Sequence, residues 1–168
     1  MNKNLFKNFS HIPRVLVTGG AGFIGNAVIR KLLNDSDCII FNLDKITYAS
    51  DLSSIKDNLQ KTPENKSRYN LLKVDLSNAV ETDIAIANSD PDLVMHLAAE
   101  SHVDRSIEGP KIFIESNIIG TYNLLESIRK HYGKLNAHRK EHFRFLHIST
   151  DEVFGSLGKI GSFKESTR

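Results

Sequence analysis

Five short apolar runs are spaced along the chain, and polar segments separate them. They lie at residues 14–18, 38–43, 69–74, 93–98 and 143–149, and their length indicates strands. The first run barely alternates between apolar and polar side chains, which is typical of a strand that is buried on both faces. We therefore expect a sheet whose strands lie in the interior of a domain.

Helical periodicity fills most of the gaps between the runs. Ile24, Ala27, Val28 and Leu32 share one helical face, so the pattern predicts a helix that ends near residue 34. Further helices are predicted at about 52–60, at 78–88 with Ser77 or Asn78 as its cap, and from Pro110 to about residue 131, whose apolar face is Phe113, Leu124 and Ile128 with Asn117 as an interruption. Residues 134–142 read as a solvated loop, and residues 156–168 predict no element.

This order of strands and helices predicts an α/β fold, namely a Rossmann-type doubly wound parallel sheet. The length of 168 residues suits one domain. We expect an N-terminal tail at residues 1–13 and a dinucleotide-binding domain at residues 14–168. We expect the sheet to be C-terminally incomplete and a C-terminal substrate lobe to be absent.

Composition and charge exclude several classes of function. With 22 Lys and Arg against 20 Asp and Glu the net charge is +2, so we expect no nucleic-acid partner and no membrane partner. Residues 15–29 carry no charge, but they contain four glycines and are too few to span a bilayer. One cysteine, Cys38, allows no internal disulfide, and no Cys/His cluster has the spacing of zinc ligands, so we predict a cytoplasmic protein without a metal.

A glycine-rich turn separates the first predicted strand from the first helix. A phosphate group at such a turn requires backbone N–H groups at a helix N-terminus and no side chains in the way. Gly19 permits the tight turn, Gly22 the close approach of a pyrophosphate, and Gly25 the packing of helix on strand. The spacing predicts a dinucleotide site, and a loop that merely requires positive φ is the alternative.

An acidic residue at the end of the second strand supports the dinucleotide. Asp44 follows Gly25 by about 20 residues, the position from which a carboxylate binds the adenosine ribose and repels a 2′-phosphate. We therefore predict NAD rather than NADP. The adjacent Lys45 argues the other way, since a cation could accommodate a phosphate.

A second acidic feature follows the fifth predicted strand. Ligands of open α/β sheets bind beyond the carboxyl ends of the strands, where Thr150, Asp151 and Glu152 are expected. Two carboxyl groups held in different protonation states can act as acid and base on one substrate. An Asp that caps a turn beside a solvated Glu fits the same spacing.

Four stretches of the chain carry a resemblance to known families. The first resembles the extended short-chain dehydrogenase/reductases that act on nucleotide sugars, and the other three resemble the dTDP-glucose 4,6-dehydratases within that superfamily. The stretches are the glycine turn at residues 19–25, and residues 44–49, 97–106 and 149–155. The last is the most specific, since similar epimerases and decarboxylases lack its Thr-Asp-Glu trio. The resemblance extends from Arg14 over nearly the whole chain, with Phe154 where the family mostly has Tyr and Ser116 where it usually has Thr.

The resemblance implies the following site residues. Those that bind NAD would be Gly19, Gly22, Phe23, Ile24, Gly25, Asp44, Lys45, Ile46, Thr47, Asp75, Leu76, Leu97, Ala98, Ala99, Glu100, Ser101 and Ser116. Ser101 and Thr150 would also contact the hexose, with Thr150, Asp151 and Glu152 as the catalytic residues. Full-length relatives pair through the long helix, which implies a homodimer.

The reaction that the resemblance implies converts dTDP-glucose to its 4-keto-6-deoxy product. Hydride leaves C4 of the sugar for NAD, Glu152 removes the C5 proton, Asp151 protonates the departing C6 hydroxyl, and hydride returns to C6. The family oxidises C4 with a Tyr-x-x-x-Lys pair that follows the Thr-Asp-Glu turn. Tyr69 and Lys73 have that spacing but lie in the third predicted strand, so we do not expect them to be catalytic. We therefore expect the 168 residues alone to be inactive.

Three other functions remain compatible with the residues. A UDP-glucose 4,6-dehydratase would perform the same chemistry on another nucleotide sugar. An epimerase or decarboxylase of the same superfamily would share the NAD site, although Asp151 and Glu152 argue against it. A non-catalytic NAD-binding module, or an inactive truncated remnant, would bind the cofactor without turnover.

Overall fold

The computed structural model describes residue 6 and residues 9–167, apart from the side chains of Val103 and Asp151. A parallel sheet forms its centre, with β1 (Arg14–Thr18), β2 (Ile39–Asp44), β3 (Tyr69–Lys73), β4 (Leu93–His96) and β5 (Arg144–His147). The strand order is β3-β2-β1-β4-β5, so the chain starts in the middle, builds one edge and then crosses to the other. This order confirms the predicted doubly wound sheet.

Helices connect the strands. They are α1 (Phe23–Asp35), α2 (Ser53–Lys61), α3 (Ala79–Ser89), α4 (Val103–Glu108), α5 (Pro110–Phe113), α6 (Gly120–Lys134) and α7 (Ala137–His142). A π-helical segment, Ile114–Ile119, joins α5 to α6, and 3-10 turns lie at Pro63–Arg68 and Asp151–Phe154.

The alternation of side chains along β1 divides the core into two halves. Leu16 points to one face, where it packs with residues of α3 and α6 such as Ile86 and Leu124. Val15 and Val17 point to the other face and pack with α1 and α2. All three β1 side chains are buried, since helices cover both faces of the sheet.

The structure corrects three predicted elements. The expected loop at residues 134–142 contains α7, because Asn136 caps it through a 2.9 Å bond from the Arg139 backbone N–H. The short helix α4 was not predicted. The long helix is continuous from Pro110 to Lys134, but its middle is π-helical around Asn117, the polar interruption of its apolar face.

Two further details concern the ends of helices and strands. Of the two proposed caps of α3, Asn78 serves, since its side chain accepts a hydrogen bond from the Glu81 backbone N–H. Strands β4 and β5 end earlier than predicted. Both strands end at the edge of the sheet where β1 is followed by the glycine turn, because the carboxyl ends of parallel strands lie at the same edge.

Candidate functional site

The glycine turn is built from two contacts that exclude side chains. Gly19 has φ +66°, and a Cβ there would lie 2.7 Å from the Ala98 backbone nitrogen. A Cβ on Gly25 would lie 2.2 Å from the Gly19 carbonyl oxygen. Helix α1 therefore starts directly against β1 and the segment after β4, and Gly19 and Gly22 line a cavity at the carboxyl edge of the sheet.

Asp44 links this turn to the segment that follows β2. Its Oδ2 accepts a 3.0 Å hydrogen bond from the Ala21 backbone N–H. Its Oδ1 accepts bonds from the Ile46 backbone N–H at 2.8 Å and from the Ser50 hydroxyl at 3.1 Å. The side chain is 8% exposed and lines a cavity above the sheet edge. A buried carboxylate with three donors keeps one orientation.

Lys45 lines the same cavity and binds residues of two other segments. Its Nζ lies 2.8 Å from Glu100 Oε1, in the segment after β4, and donates to Ser116 Oγ at 2.7 Å. A second bridge joins the same two sides, since the Arg105 guanidinium lies 3.7 Å from the centre of the Tyr48 ring. The ammonium group of Lys45, which in the sequence favoured a cofactor with a 2′-phosphate, is thus paired with the Glu100 carboxylate on the opposite side of the cavity.

Asn117 holds the segment after β4 from the π-helical side. Its Oδ1 accepts from the Glu100 backbone N–H at 2.8 Å, and its Nδ2 donates to the Glu100 carbonyl at 2.9 Å. The side-chain amide therefore pairs with one residue of backbone as a neighbouring strand would. The polar interruption of the helix thus positions the wall that contains Glu100.

Thr18 and His96 form a buried support beneath the same wall. Thr18 Oγ1 accepts bonds from the backbone N–H groups of Leu97 and Ala98, each at 3.2 Å, so its own hydrogen goes to His96 Nδ1 at 2.7 Å. His96 Nε2 then donates to Thr121 Oγ1. Burial is the larger cause and the nearby charge of His147 the smaller cause of a lowered pKa of His96, which is about 4, so the ring is neutral at pH 7.

Most of the predicted cofactor residues line one cavity. They are Gly19, Gly22, Asp44, Lys45, Thr47, Asp75, Leu76, Leu97, Ala98, Ala99, Glu100 and Ser116. The other predicted residues do not line it: Phe23 and Ile24 are 96% and 58% exposed on α1, Gly25 packs on the turn, and Ile46 and Ser101 lie beside the cavity. Sequence reasoning missed Leu43, Ala49, Ser50 and Val74, which complete the lining.

The predicted catalytic residues follow β5 at the same edge of the sheet. Thr150 is exposed and extended, and Glu152 is exposed in the 3-10 turn Asp151–Phe154. The side chain of Asp151 lies outside the described residues. Tyr69, of the Tyr-x-x-x-Lys string, lies in β3, where its hydroxyl accepts a 2.9 Å bond from Asn42 Nδ2. Burial raises the pKa of Tyr69, which is unfavourable for a base.

The described residues form neither a metal-ligand cluster nor a membrane-spanning helix. Within residue 6 and residues 9–167, no cluster of three His, Cys, Asp or Glu side chains is arranged to hold a metal ion. None of the helices in that part of the chain has the length and apolar character needed to cross a bilayer.

The chain is similar to proteins of known activity. Residues 16–168 match the model of a family described as GDP-mannose 4,6 dehydratase. The chain is 51% identical over 144 residues to dTDP-glucose 4,6-dehydratase of Shigella flexneri, and 47% identical over 154 residues to that of Neisseria gonorrhoeae. These alignments cover 86% and 91% of this chain but 38% and 43% of those proteins. The chain thus spans less than half the length of these relatives.

Solved structures agree with the sequence matches. A dTDP-glucose 4,6-dehydratase of Streptomyces venezuelae with NAD bound superimposes with a TM-score of 0.73 at 34% identity, over 92% of this chain and 44% of that one. The enzyme of Bacillus anthracis in complex with NAD gives 0.68 at 36% identity, over 92% and 43%.

Proposed function

The chain belongs to the GDP-mannose 4,6-dehydratase family, and from that membership we propose that it forms the NAD-binding part of a dTDP-glucose 4,6-dehydratase. The observation that carries the proposal is the single cavity in which the glycine turn, Asp44 and the segments after β3 and β4 meet. The enzymes to which it is about half identical are named for this activity.

The residues of the cavity fit NAD in its three parts. Gly19 and Gly22 of the glycine turn line the cavity without a side chain, which suits the close approach of a pyrophosphate. Asp44 would hold the adenosine ribose, Asp75 and Leu76 would lie at the adenine, and residues 97–101 would lie at the nicotinamide. NAD, when bound, supplies a hydride acceptor for C4 of the sugar and a hydride donor for C6.

The residues after β5 supply the proton chemistry in this proposal. A ketone at C4 makes the C5 proton acidic, and Glu152 would remove it while Asp151 gives a proton to the C6 hydroxyl, which leaves as water. Ser101 and Thr150 would hold the hexose. Glu152 must start ionised and Asp151 protonated, so the two neighbours need different surroundings.

Cofactor binding by the chain tests the first half of the proposal. In a titration followed by NADH fluorescence we expect saturable binding, weakened by about tenfold or more in Asp44→Ala, since hydrogen bonds to a charged group are lost. Asp57→Ala, which changes an exposed carboxylate on α2, is the matched control and should bind as the wild type does. Thermal melts check that each variant is folded. No NADH binding by the wild type would refute the proposal.

Turnover tests the second half. The chain together with any continuation that its source DNA encodes after Arg168 should convert dTDP-glucose to a product lighter by one water, detected by mass spectrometry. In D₂O the product should carry deuterium from proton exchange, and Glu152→Gln should lose most of both signals. Equal turnover of UDP-glucose, or a product of unchanged mass, would favour the other nucleotide sugar or an epimerase.

Assembly and location are the remaining parts of the proposal. Ile118 and Tyr122 are each 61% exposed on the long helix, which supports a homodimer of the full-length protein through this helix. Sedimentation of the full-length protein would test the dimer. The expectations of a cytoplasmic protein without a nucleic-acid partner stay predictions.

A further inference from the structure

Ile46 has an unusual backbone conformation beside the cavity. Its φ is +56°, in the left-handed region that β-branched residues seldom adopt because the side chain collides with the backbone. The residue follows Asp44 by two positions, where β2 has ended and the chain turns over the edge of the sheet. A strained residue next to a candidate site persists only if neighbouring bonds hold it.

A ring of hydrogen bonds around Ile46 provides that restraint. Asp44 Oδ1 accepts from the Ile46 backbone N–H at 2.8 Å. The Ser50 hydroxyl donates to the same oxygen at 3.1 Å and accepts from the Thr47 backbone N–H at 2.9 Å. The Ser50 hydroxyl thus connects the Asp44 carboxylate, which precedes Ile46, to the Thr47 backbone N–H, which follows it.

The same ring fixes the orientation of the Asp44 carboxylate. A carboxylate has about four acceptor positions, and Ala21, Ile46 and Ser50 occupy three of them. Without the Ser50 hydroxyl, Oδ1 would keep only one donor, and the side chain could turn toward solvent. The strained turn at Ile46 could then relax with it.

Charged side chains line the cavities beside Asp44. Lys45 and Lys73 both line a second cavity that adjoins the first at Thr47 and Asp75. With Asp44 in place, its charge faces the position of a ribose substituent, and Lys45 is held by Glu100 and Ser116. Asp75, Glu81 and Glu115 also line the second cavity, so displacing Asp44 removes one negative charge from the ribose position without making its surroundings basic. The repulsion of a 2′-phosphate is weakened by the loss of that charge.

We propose that Ser50 is a specificity-determining positioning residue, which holds the Asp44 carboxylate so that the site accepts a dinucleotide with a free 2′-hydroxyl and rejects one with a 2′-phosphate. The inference rests on the proposed function, since it supposes that the cavity binds NAD through Asp44. It adds a residue that does not itself have to contact the cofactor.

The experiment compares NADH and NADPH binding in four forms of the chain by fluorescence titration. Ser50→Ala should weaken NADH binding by about 3- to 10-fold and leave NADPH binding equal or tighter, so that the preference for NADH falls by at least about threefold. Ser50→Thr keeps the hydroxyl and should retain the wild-type preference. Ser53→Ala is the matched control, because it removes a hydroxyl that donates to the Asp51 carboxylate and not to Asp44. It should change neither the NADH nor the NADPH affinity.

The outcomes separate this inference from the one on which it rests. If Ser50→Ala weakens NADH and NADPH by the same factor, Ser50 only stabilises the loop and the proposal is overturned. If neither NADH nor NADPH affinity changes in Ser50→Ala while the wild type binds NADH, the role of Ser50 is overturned too. The proposed function then stands. A wild type that binds neither dinucleotide overturns both. Melting temperatures recorded without ligand show whether each variant is folded.

Discussion

Replacing Gly25 by alanine tests whether close packing of α1 on the glycine turn is what requires a glycine there. The added Cβ would lie 2.2 Å from the Gly19 carbonyl oxygen and 2.7 Å from the Gly20 Cα. Carbon and oxygen atoms settle at about 3.3 Å or more. Helix and turn would therefore have to separate by roughly 1 Å, and both partners are backbone, which cannot rotate away as a flexible side chain can.

The magnitude follows from two opposing effects. Overpacking of this kind costs about 3 kcal/mol at the upper end of its usual range, because backbone has to move. Alanine in a helix is favoured over glycine by about 1 kcal/mol. We therefore expect Gly25→Ala to lower the free energy of unfolding by about 2 kcal/mol. Gly133→Ala in α6 is the matched control, since its Cβ would meet nothing within 4 Å and only the helical preference remains.

Urea denaturation of the two variants measures the difference, which we expect to be about 3 kcal/mol since the helical preference largely cancels. An NADH titration under native conditions should show the same ranking, because the displaced turn no longer presents its backbone to the pyrophosphate. If Gly25→Ala is within about 0.5 kcal/mol of Gly133→Ala, a margin typical of neutral substitutions, the close contact does not explain the glycine.

Three further predictions concern groups away from the turn. The pKa of His96 lies at about 4, below its usual 6.5, so the unfolded chain takes up the proton first as the pH falls. The contribution of His96 to the free energy of unfolding is therefore full above about pH 6.5 and is lost toward pH 4. Between pH 7 and pH 5 the loss is roughly 2 kcal/mol. Urea denaturation at several pH values across that range should show this fall in the free energy of unfolding for the wild type and a smaller fall for His96→Asn. Equal falls in the two proteins would contradict the prediction. Arg139→Ala should cost about 3 kcal/mol in the same assay, because the Asp92 side chain is 1% exposed and loses a 2.8 Å bond from the guanidinium. Arg139→Lys should cost less, and a loss below about 1 kcal/mol would show that the remaining donors to Asp92 suffice. Asn78→Ala should remove about 1 kcal/mol with the cap of α3, while Asn78→Asp should retain most of it; equal stabilities would exclude a capping role.

Much of the fold could be predicted from local patterns. The strand β1 and the helix α1 were predicted almost to the residue, because an unbroken apolar run and a glycine-rich turn report their surroundings without help from distant residues. Asn78 as a cap and Asp44 at the end of β2 are equally local, since their roles depend on where one element stops. The doubly wound sheet follows from the alternation of such elements.

Other features depend on residues that are far apart in the chain. Helix α7 was predicted to be a loop, because its own residues carry no apolar face. Arg139 of this helix binds Asp90 and Asp92, which directly precede β4. Lys45 looked like a cation for a phosphate until the fold placed Glu100 against it, 55 positions further along the chain.

The sequence by itself therefore determined the elements, their order and the residue types at the carboxyl edge of the sheet. The tertiary structure alone decided which of those residues meet: Ser50 with Asp44, Asn117 with Glu100, and Thr18 with His96. The physical reason is that apolar periodicity and glycine spacing act over a few residues of chain. A hydrogen bond between side chains, in contrast, requires atoms within about 3 Å, and that distance is set by the packing of the whole sheet and its helices.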